Sequence, residues 1–582
     1  MVGRGDSGRR LGLTLLAIAF VLTIFAGRLV QIQGMESGAY AKLAAQERLK
    51  PITLPAIRGT ITGANGQILA TTVETYTVTA DPPLISDKAQ TARQLAAPLG
   101  MPAARILYLL EHPSSPDYVV LATGVPVGNG DKINAMQLAG ISLPPVYSRA
   151  YPDGDATANV VGFTNVSQSD VIKGQAGIEE AYNNLLSGTQ GSEQVEVANG
   201  TNTPIPGTET TITSPVNGSG IRLTIIPALQ FEAQQACQQR VRQMHAKNCT
   251  VVIIQPKTGD ILAMAQWPTY SQATLTNSAD ATDLPVQDVF APGSTAKVIT
   301  AAAAFEHGGQ TPMSAYWIPS SGEIYEGGQW IHDSEDDAGA HYTIAGIIAN
   351  SSNIGMSQVA NHVPPQVQYD YLRAFGLGEP TGLNLPGESP GLLAPPSQWA
   401  PDERYTLSFG QGIAVNAVQM ASVYATLANG GVRVQPRLIA GTTSPSGQYT
   451  PAAPAPSRRV IKAKTAHELI QILQQVPAVD ADADEPWGII PGYAVAAKTG
   501  TSNEAGPGCA LCVYGSSYIG MAPGNNPQVV VAVNVQDPDK KYGYFGDVVA
   551  GPVFYNVMTF ALQTLQIPPD GAVAPNVRLN AP

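Results

Sequence analysis

The run LGLTLLAIAFVLTIFAG, residues 11 to 27, is uncharged and unbroken, and it limits the chain more than any other feature. It stands at the short end of what a helix needs to span a bilayer. Leu29, Val30 and Ile32 extend it if Arg28 snorkels to the interface. Arg4, Arg9 and Arg10 precede it on a short tail, and such a positive bias places a tail in the cytoplasm. A cleaved signal peptide would have a shorter core and a nearby small-x-small site, but Ala39-Tyr40-Ala41 lies well past the run. The expectation is a cytoplasmic tail at 1–10, an uncleaved transmembrane anchor at 11–32, and everything after it outside the cytoplasm.

With 582 residues the chain is too long for one ordinary domain. A 44% hydrophobic share excludes wholesale disorder, and a net charge of -12 excludes a broad basic face for nucleic acid. Residues 33–220 read as β-rich: RGTITGANGQILATT (58–72) and YTVTADPP (76–83) flank an Asn-Gly turn, and 189–220 looks like extended linker or hairpin. From 221 to 567 helical runs alternate with strands, and 568–582 reads as a flexible tail. The expected class is α+β, with a domain boundary near residue 220. Cys509 and Cys512 suit a local disulfide outside the cytoplasm, whereas mid-helix Cys237 and Cys249 at the next strand are expected to lie too far apart. The cysteine spacing does not suit zinc.

Three short motifs carry chemistry. In DVFAPGSTAKVITAAAAFEHGG, Ser294 and Lys297 are one helical turn apart, and the lysine leads into an apolar helix. A serine hydroxyl needs a base to become nucleophilic, and an amine serves as that base when burial lowers its pKa. Ser351-Ser352-Asn353 falls between two helical segments, and Lys498-Thr499-Gly500-Thr501 ends a strand-like run. A second triplet, Lys257-Thr258-Gly259, follows Pro256 and precedes Asp260, so it is assigned to a turn between two strands. Gly500 is expected to let a substrate lie close against the strand edge.

Ser-x-x-Lys, Ser-x-Asn and Lys-Thr-Gly in this order are the signature of penicillin-recognising acyl transferases. The chain resembles the penicillin-binding proteins, specifically the monofunctional class B peptidoglycan transpeptidases. GIEEAYNNLLSG (177–188), KTGDILAMAQWPTY (257–270), FGLGEPTGLNLPGE (375–388) and SFGQGIAVNAVQMASVYATLANGG (408–431) look like family landmarks. RGTITGANGQILA (58–70) departs by carrying Gly63-Ala64 where an acidic-basic pair is usual, which puts salt bridging in that region in doubt. The resemblance implies an N-terminal β-rich pedestal at 33–220 and a transpeptidase domain of antiparallel sheet flanked by helices at 221–567.

It also implies roles. Ser294 would be acylated, Lys297 would take its proton, Ser351 would relay a proton to the leaving group, and Asn353 would hold the donor amide. Lys498 would add positive charge beside Ser351, Thr499, Gly500 and Thr501 would line the donor strand, and the N–H groups of Ser294 and Thr501 would form the oxyanion hole. Peptidoglycan stem peptides and β-lactams would be the ligands, with neither metal nor organic cofactor. A multi-pass membrane glycan polymerase and other wall-synthesis proteins would be the partners. NLPGESPGLLAP and GQGIAVNAVQM lean toward the division type over the elongation type. Four other functions fit less well. A β-lactamase would need a residue to activate the deacylating water, and a sensor would need a cytoplasmic signalling domain. A bifunctional enzyme would need a glycosyltransferase domain, and a non-catalytic scaffold is opposed by the intact motifs. His332, Asp333, Glu335, Asp336 and Asp337 read as an exposed acidic loop, and 441–457 as a surface excursion.

Overall fold

The computed structural model describes residues 7–36, 38, 42, 49–166, 172–197, 205, 207–275, 281–334, 337–506, 508–571 and 573–582. Arg4, Ala39-Tyr40-Ala41, Glu335 and Asp336 lie outside them. The chain forms two compact units, one of residues 1–57 and 188–217 and one of 58–187 and 218–582.

In the first unit the apolar run is a helix, Ser7–Val30, long and apolar enough to cross a membrane. Its 24 residues rise about 36 Å. The same unit holds a three-stranded antiparallel sheet in which Gly191–Glu196 lies between Leu49–Leu54 and Thr210–Thr213.

The second unit contains two large sheets. The eight-stranded one joins distant parts of the chain: Gly220–Leu223 pairs with Ile439–Thr443 on one side and, in parallel, with Ile61–Thr62 on the other. The expected Asn-Gly turn is present, with Gly66 at φ +85° closing back onto Gly63. The turn lies inside the first β-rich run rather than between the two: Ile61–Thr62 precedes it, and the rest of that run continues into the second as one 13-residue strand, Ile68–Ala80. Behind this sheet, Glu179 receives Arg58 Nε and Arg149 Nε, each at 2.6 Å, and its carboxylate is fully buried. Gly63-Ala64 therefore leaves the region with an ion-pair cluster built from other residues.

The second sheet is antiparallel and runs Ile261–Trp267, Asn248–Ile254, Val529–Gln536, Cys509–Ala522, Ala496–Gly506. Asn248–Ile254 and Val529–Gln536 are buried along their whole length, as expected where both faces are covered. Alternate residues serve opposite cores. Val252 and Ile254 join the helices Lys297–Glu306 and Ala417–Ala428 on one face. Val251 and Ile253 join Pro227–Met244 and Gly546–Thr564 on the other. Lys257-Thr258-Gly259 forms the turn expected of it, with Gly259 at φ +73° between the first two strands.

Two expectations are corrected. Cys237 and Cys249 are disulfide-bonded, with Cα atoms 5.3 Å apart. His245 adopts the left-handed conformation after the helix, and the chain doubles back so that the strand lies against the helix it has just left. Cys509 and Cys512 are bridged as well. The stretch read as a flexible tail is tied down at its end: Leu579 O accepts from Thr343 N at 2.9 Å, and Ala581 N donates to His341 O at 2.9 Å. Val577 and Leu579 pack against the core of the second unit.

Candidate active site

Ser294 lies in the 3-10 turn Gly293–Ala296 that leads into the helix Lys297–Glu306. The turn is braced from three sides. Thr295 Oγ1 donates to Pro292 O at 2.7 Å, Tyr424 OH from the buried helix Ala417–Ala428 donates to Thr295 O at 3.0 Å, and Gly293 N donates to Gly410 O at 3.0 Å. Ser294 itself remains partly exposed, while Lys297 is completely buried.

Lys297 Nζ donates to the carbonyl of Ser351 and lies 3.4 Å from its hydroxyl. From the other side Lys498 Nζ, also fully buried, donates to Ser351 Oγ at 3.0 Å and reaches Thr499 O and Oγ1 at 3.2 Å. One hydroxyl is thus held between two lysines that stand some two hundred residues apart in the chain. Ser351 adopts φ +63°, a conformation that costs an L-residue about 1–3 kcal/mol and is found where surrounding contacts enforce it.

Asn353 starts the helix Asn353–Ala360, and its Nδ2 donates to His332 O at 3.2 Å. The residue that sets this helix is Asp333. Its carboxylate accepts from Ser352 Oγ at 2.7 Å, Asn353 N at 2.5 Å and Ile354 N at 2.9 Å. The reading of this stretch as an exposed acidic loop is therefore wrong for Asp333. A carboxylate facing free N–H groups at a helix start is stabilising there, and the partners lie too far along the chain for the sequence to show them.

The strand Ala496–Gly506 closes the site. Thr501 Oγ1 accepts from Gly546 N at 3.1 Å, and Glu504 accepts from Ala291 N at 3.1 Å, tying the strand to the segment just before the Ser294 turn. Gly500 is also a point of close approach within the chain: a Cβ there would meet Ser517 Oγ and would lie 2.9 Å from both Pro292 O and Thr295 Cγ2, so the missing side chain makes room for the serine turn.

Burial holds the Lys297 ammonium well below its ordinary pKa, and the nearby charge of Lys498 pushes the same way; Asp333 and Asp337 oppose them. Burial also lowers Lys498, opposed by Asp480 and Asp547. Sequence reasoning missed Asp480, whose carboxyl is raised by burial and accepts from Tyr518 OH at 3.1 Å. The arrangement therefore places a hydroxyl one turn from a buried amine whose surroundings favour its neutral, proton-accepting form. A second hydroxyl stands between that amine and a cation.

An antiparallel sheet between two helical layers, with these three motifs gathered at one side of it, defines a penicillin-binding fold. Residues 249–559 match the penicillin binding protein transpeptidase domain, and residues 53–223 match the penicillin-binding protein dimerisation domain. The chain belongs to the class B penicillin-binding protein transpeptidases. It is 32% identical to penicillin-binding protein PbpB of Mycolicibacterium smegmatis over 97% of its length and 92% of that protein's. It is 29% identical to peptidoglycan D,D-transpeptidase FtsI of Escherichia coli K12, over 96% and 92% respectively. The crystal structure of penicillin binding protein 3 from Mycobacterium tuberculosis with ampicillin is similar at TM-score 0.70 and 29% identity, covering 91% of this chain and all of that one.

Proposed function

We propose that the chain is a serine D,D-transpeptidase that cross-links peptidoglycan stem peptides and is acylated by β-lactams. The observation that carries this reading is Ser351 Oγ held between Lys297 and Lys498 beside the Ser294 turn. Neutral Lys297 takes the proton of Ser294 as its Oγ attacks the carbonyl of the penultimate D-alanine. The oxyanion is held by the N–H groups of Ser294 and Thr501. Ser351 passes a proton to the departing D-alanine amine, with Lys498 favouring charge separation. An amine of a second stem peptide then attacks the acyl-serine, releasing Ser294 and completing the cross-link. Asn353 orients the donor amide, Lys498 helps to orient the donor carboxylate, and Thr499, Gly500 and Thr501 line the donor strand.

The reading assigns 221–567 to catalysis, 33–220 to a pedestal and 11–32 to a single-pass anchor whose basic tail stays in the cytoplasm. The NLPGESPGLLAP and GQGIAVNAVQM segments favour septal synthesis. A transpeptidase needs fresh strands delivered to it, so a multi-pass glycan polymerase is proposed to dock on anchor and pedestal; a pull-down of the intact chain that recovers none argues against that partner. Labelling of the protein with a fluorescent penicillin tests the chemistry. Wild type should label and Ser294→Ala should not; equal labelling of both would put the nucleophile elsewhere.

A further inference from the structure

The hairpin that leads into Asp333 carries two aromatic side chains that serve neither the core nor the catalytic groups. Its strands, Glu323–Glu326 and Gln329–His332, are antiparallel, with Tyr325 opposite Trp330 and Glu323 opposite His332. Alternation along the strands sorts their side chains onto two faces. Ile331 is buried in the core and Ile324 packs against it, while Tyr325 and Trp330 on the other face are each 57% exposed. Their ring centroids lie 5.1 Å apart.

A cross-strand aromatic pair steadies a hairpin, yet this hairpin is fixed by other contacts. Its tip turns through Gly327 and Gly328, both at positive φ, and a Cβ on Gly327 would lie 2.5 Å from Pro401 O and from Asp402 Cα. Glu326 Oε1 accepts from Asn361 Nδ2 at 3.4 Å. At the base, His332 O accepts from Asn353 Nδ2, and Asp333 holds the start of the helix Asn353–Ala360. The exposed rings are therefore set on a rigid frame. Two residues of strand, about 7 Å, separate Trp330 from the residue that holds Asn353.

The pair is too small for a protein interface, which buries about 1,000 Å² or more. It does suit a sugar, whose flat face of C–H groups packs on an aromatic ring while its hydroxyls and amides meet polar neighbours. Such neighbours stand on the same face: Glu323 Oε2 and His332 Nδ1, 3.6 Å apart. We propose that Tyr325 and Trp330 form a stacking platform for the glycan strand that carries the donor stem peptide, a β-1,4-linked chain of N-acetylated amino sugars. The choice of glycan rests on the transpeptidase reading. A strand seated there delivers its peptide beside Asn353, the residue that orients the donor amide in that reading.

The test titrates the full chain in detergent with the β-1,4-linked tetramer of N-acetylglucosamine, followed by calorimetry and tryptophan fluorescence. Fluorescent-penicillin labelling is measured on the same samples. The expected result is saturable binding that alters tryptophan emission, falls several-fold in Tyr325→Leu and is lost when Trp330→Leu is added. Leucine keeps an apolar side chain without the flat face. Penicillin carries no sugar, so its labelling stoichiometry reports whether the catalytic site of each variant is intact. No saturable binding in wild type, equal binding in the double variant, or equal binding of an α-1,4-linked glucose tetramer would overturn the proposal. Labelling without tetramer binding rejects the platform and leaves the transpeptidase reading standing; tetramer binding without labelling does the reverse. If the double variant neither labels nor unfolds cooperatively, Tyr325→Leu decides: weakened binding supports the platform, and unchanged binding rejects it.

Discussion

Lys297 and Lys498 are both fully buried, and the charge of Lys498 helps to set the proton of Lys297. Only the neutral form of Lys297 can accept the serine proton, so acylation should rise with pH through the pKa of Lys297. Burial and the charge of Lys498 keep that pKa low. Lys498→Gln takes away the neighbouring charge that lowers it, so the acidic limb of the pH–rate profile should move to higher pH. Asp333 acts in the opposite sense, and Asp333→Asn should move the limb to lower pH. Acylation rates with a fluorescent penicillin between about pH 5 and 9 would show both shifts. Limbs that stay in place in both variants would mean that Lys297 is not the titrating base. Ser351→Ala, which removes the hydroxyl between the lysines, should lower the acylation rate by about 10²- to 10⁴-fold, the usual worth of a positioned proton relay.

The helix Asn353–Ala360 shows how an element is set by a residue outside it. Three donors at its start converge on Asp333. Asp333→Ala leaves them without that acceptor, which should cost about 1–2 kcal/mol of stability and slow acylation at least tenfold as Asn353 loses its register. Asp333→Asn, which keeps one acceptor oxygen, should recover part of both. A calorimetric Tm and an acylation rate for each variant would check this, and an unchanged rate in Asp333→Ala would reject the positioning role. The three motifs that meet around Ser351 were legible because each occupies three or four consecutive residues. Asp333 was not, because its carboxylate is visible in the sequence but the helix start that returns to it is not. The Cys237–Cys249 bridge was hidden in the same way, behind a reversal at His245 that needs a left-handed backbone from a residue other than glycine. Gly500 was legible as a site of close approach, yet the partner it admits comes from another motif.

At the scale of the molecule, the sequence texture changes near residue 220 but the hydrogen bonding does not stop there. Gly220–Leu223 is a shared strand, paired on one side with Ile61–Thr62 and on the other with Ile439–Thr443. Sequence texture marks a change in local pattern, whereas a sheet is closed by pairings hundreds of residues apart. Residues 58–187 and 218–582 accordingly form one compact unit. Within it Glu179 binds two arginines from separate strands or their flanks, Arg58 and Arg149, and Arg58 further donates to Glu179 O at 2.7 Å, Asn183 Oδ1 at 2.9 Å and Ser187 Oγ at 2.8 Å. Burial lowers the Arg58 pKa, opposed by Glu179, which is the balance expected of a desolvated cation kept charged by its partner. Glu179→Gln keeps the volume but strands two buried guanidiniums, a change that typically costs about 3–5 kcal/mol. Calorimetry should therefore show the transition of this unit several degrees lower, with penicillin labelling still tied to Ser294 at temperatures below it. Replacing Arg58, Arg149 and Glu179 together with apolar residues of similar volume should restore most of the loss, because a buried ionic cluster is penalised chiefly when it is broken. If Glu179→Gln melts at the wild-type temperature, the cluster contributes no net stability and the shared sheet alone holds these segments together.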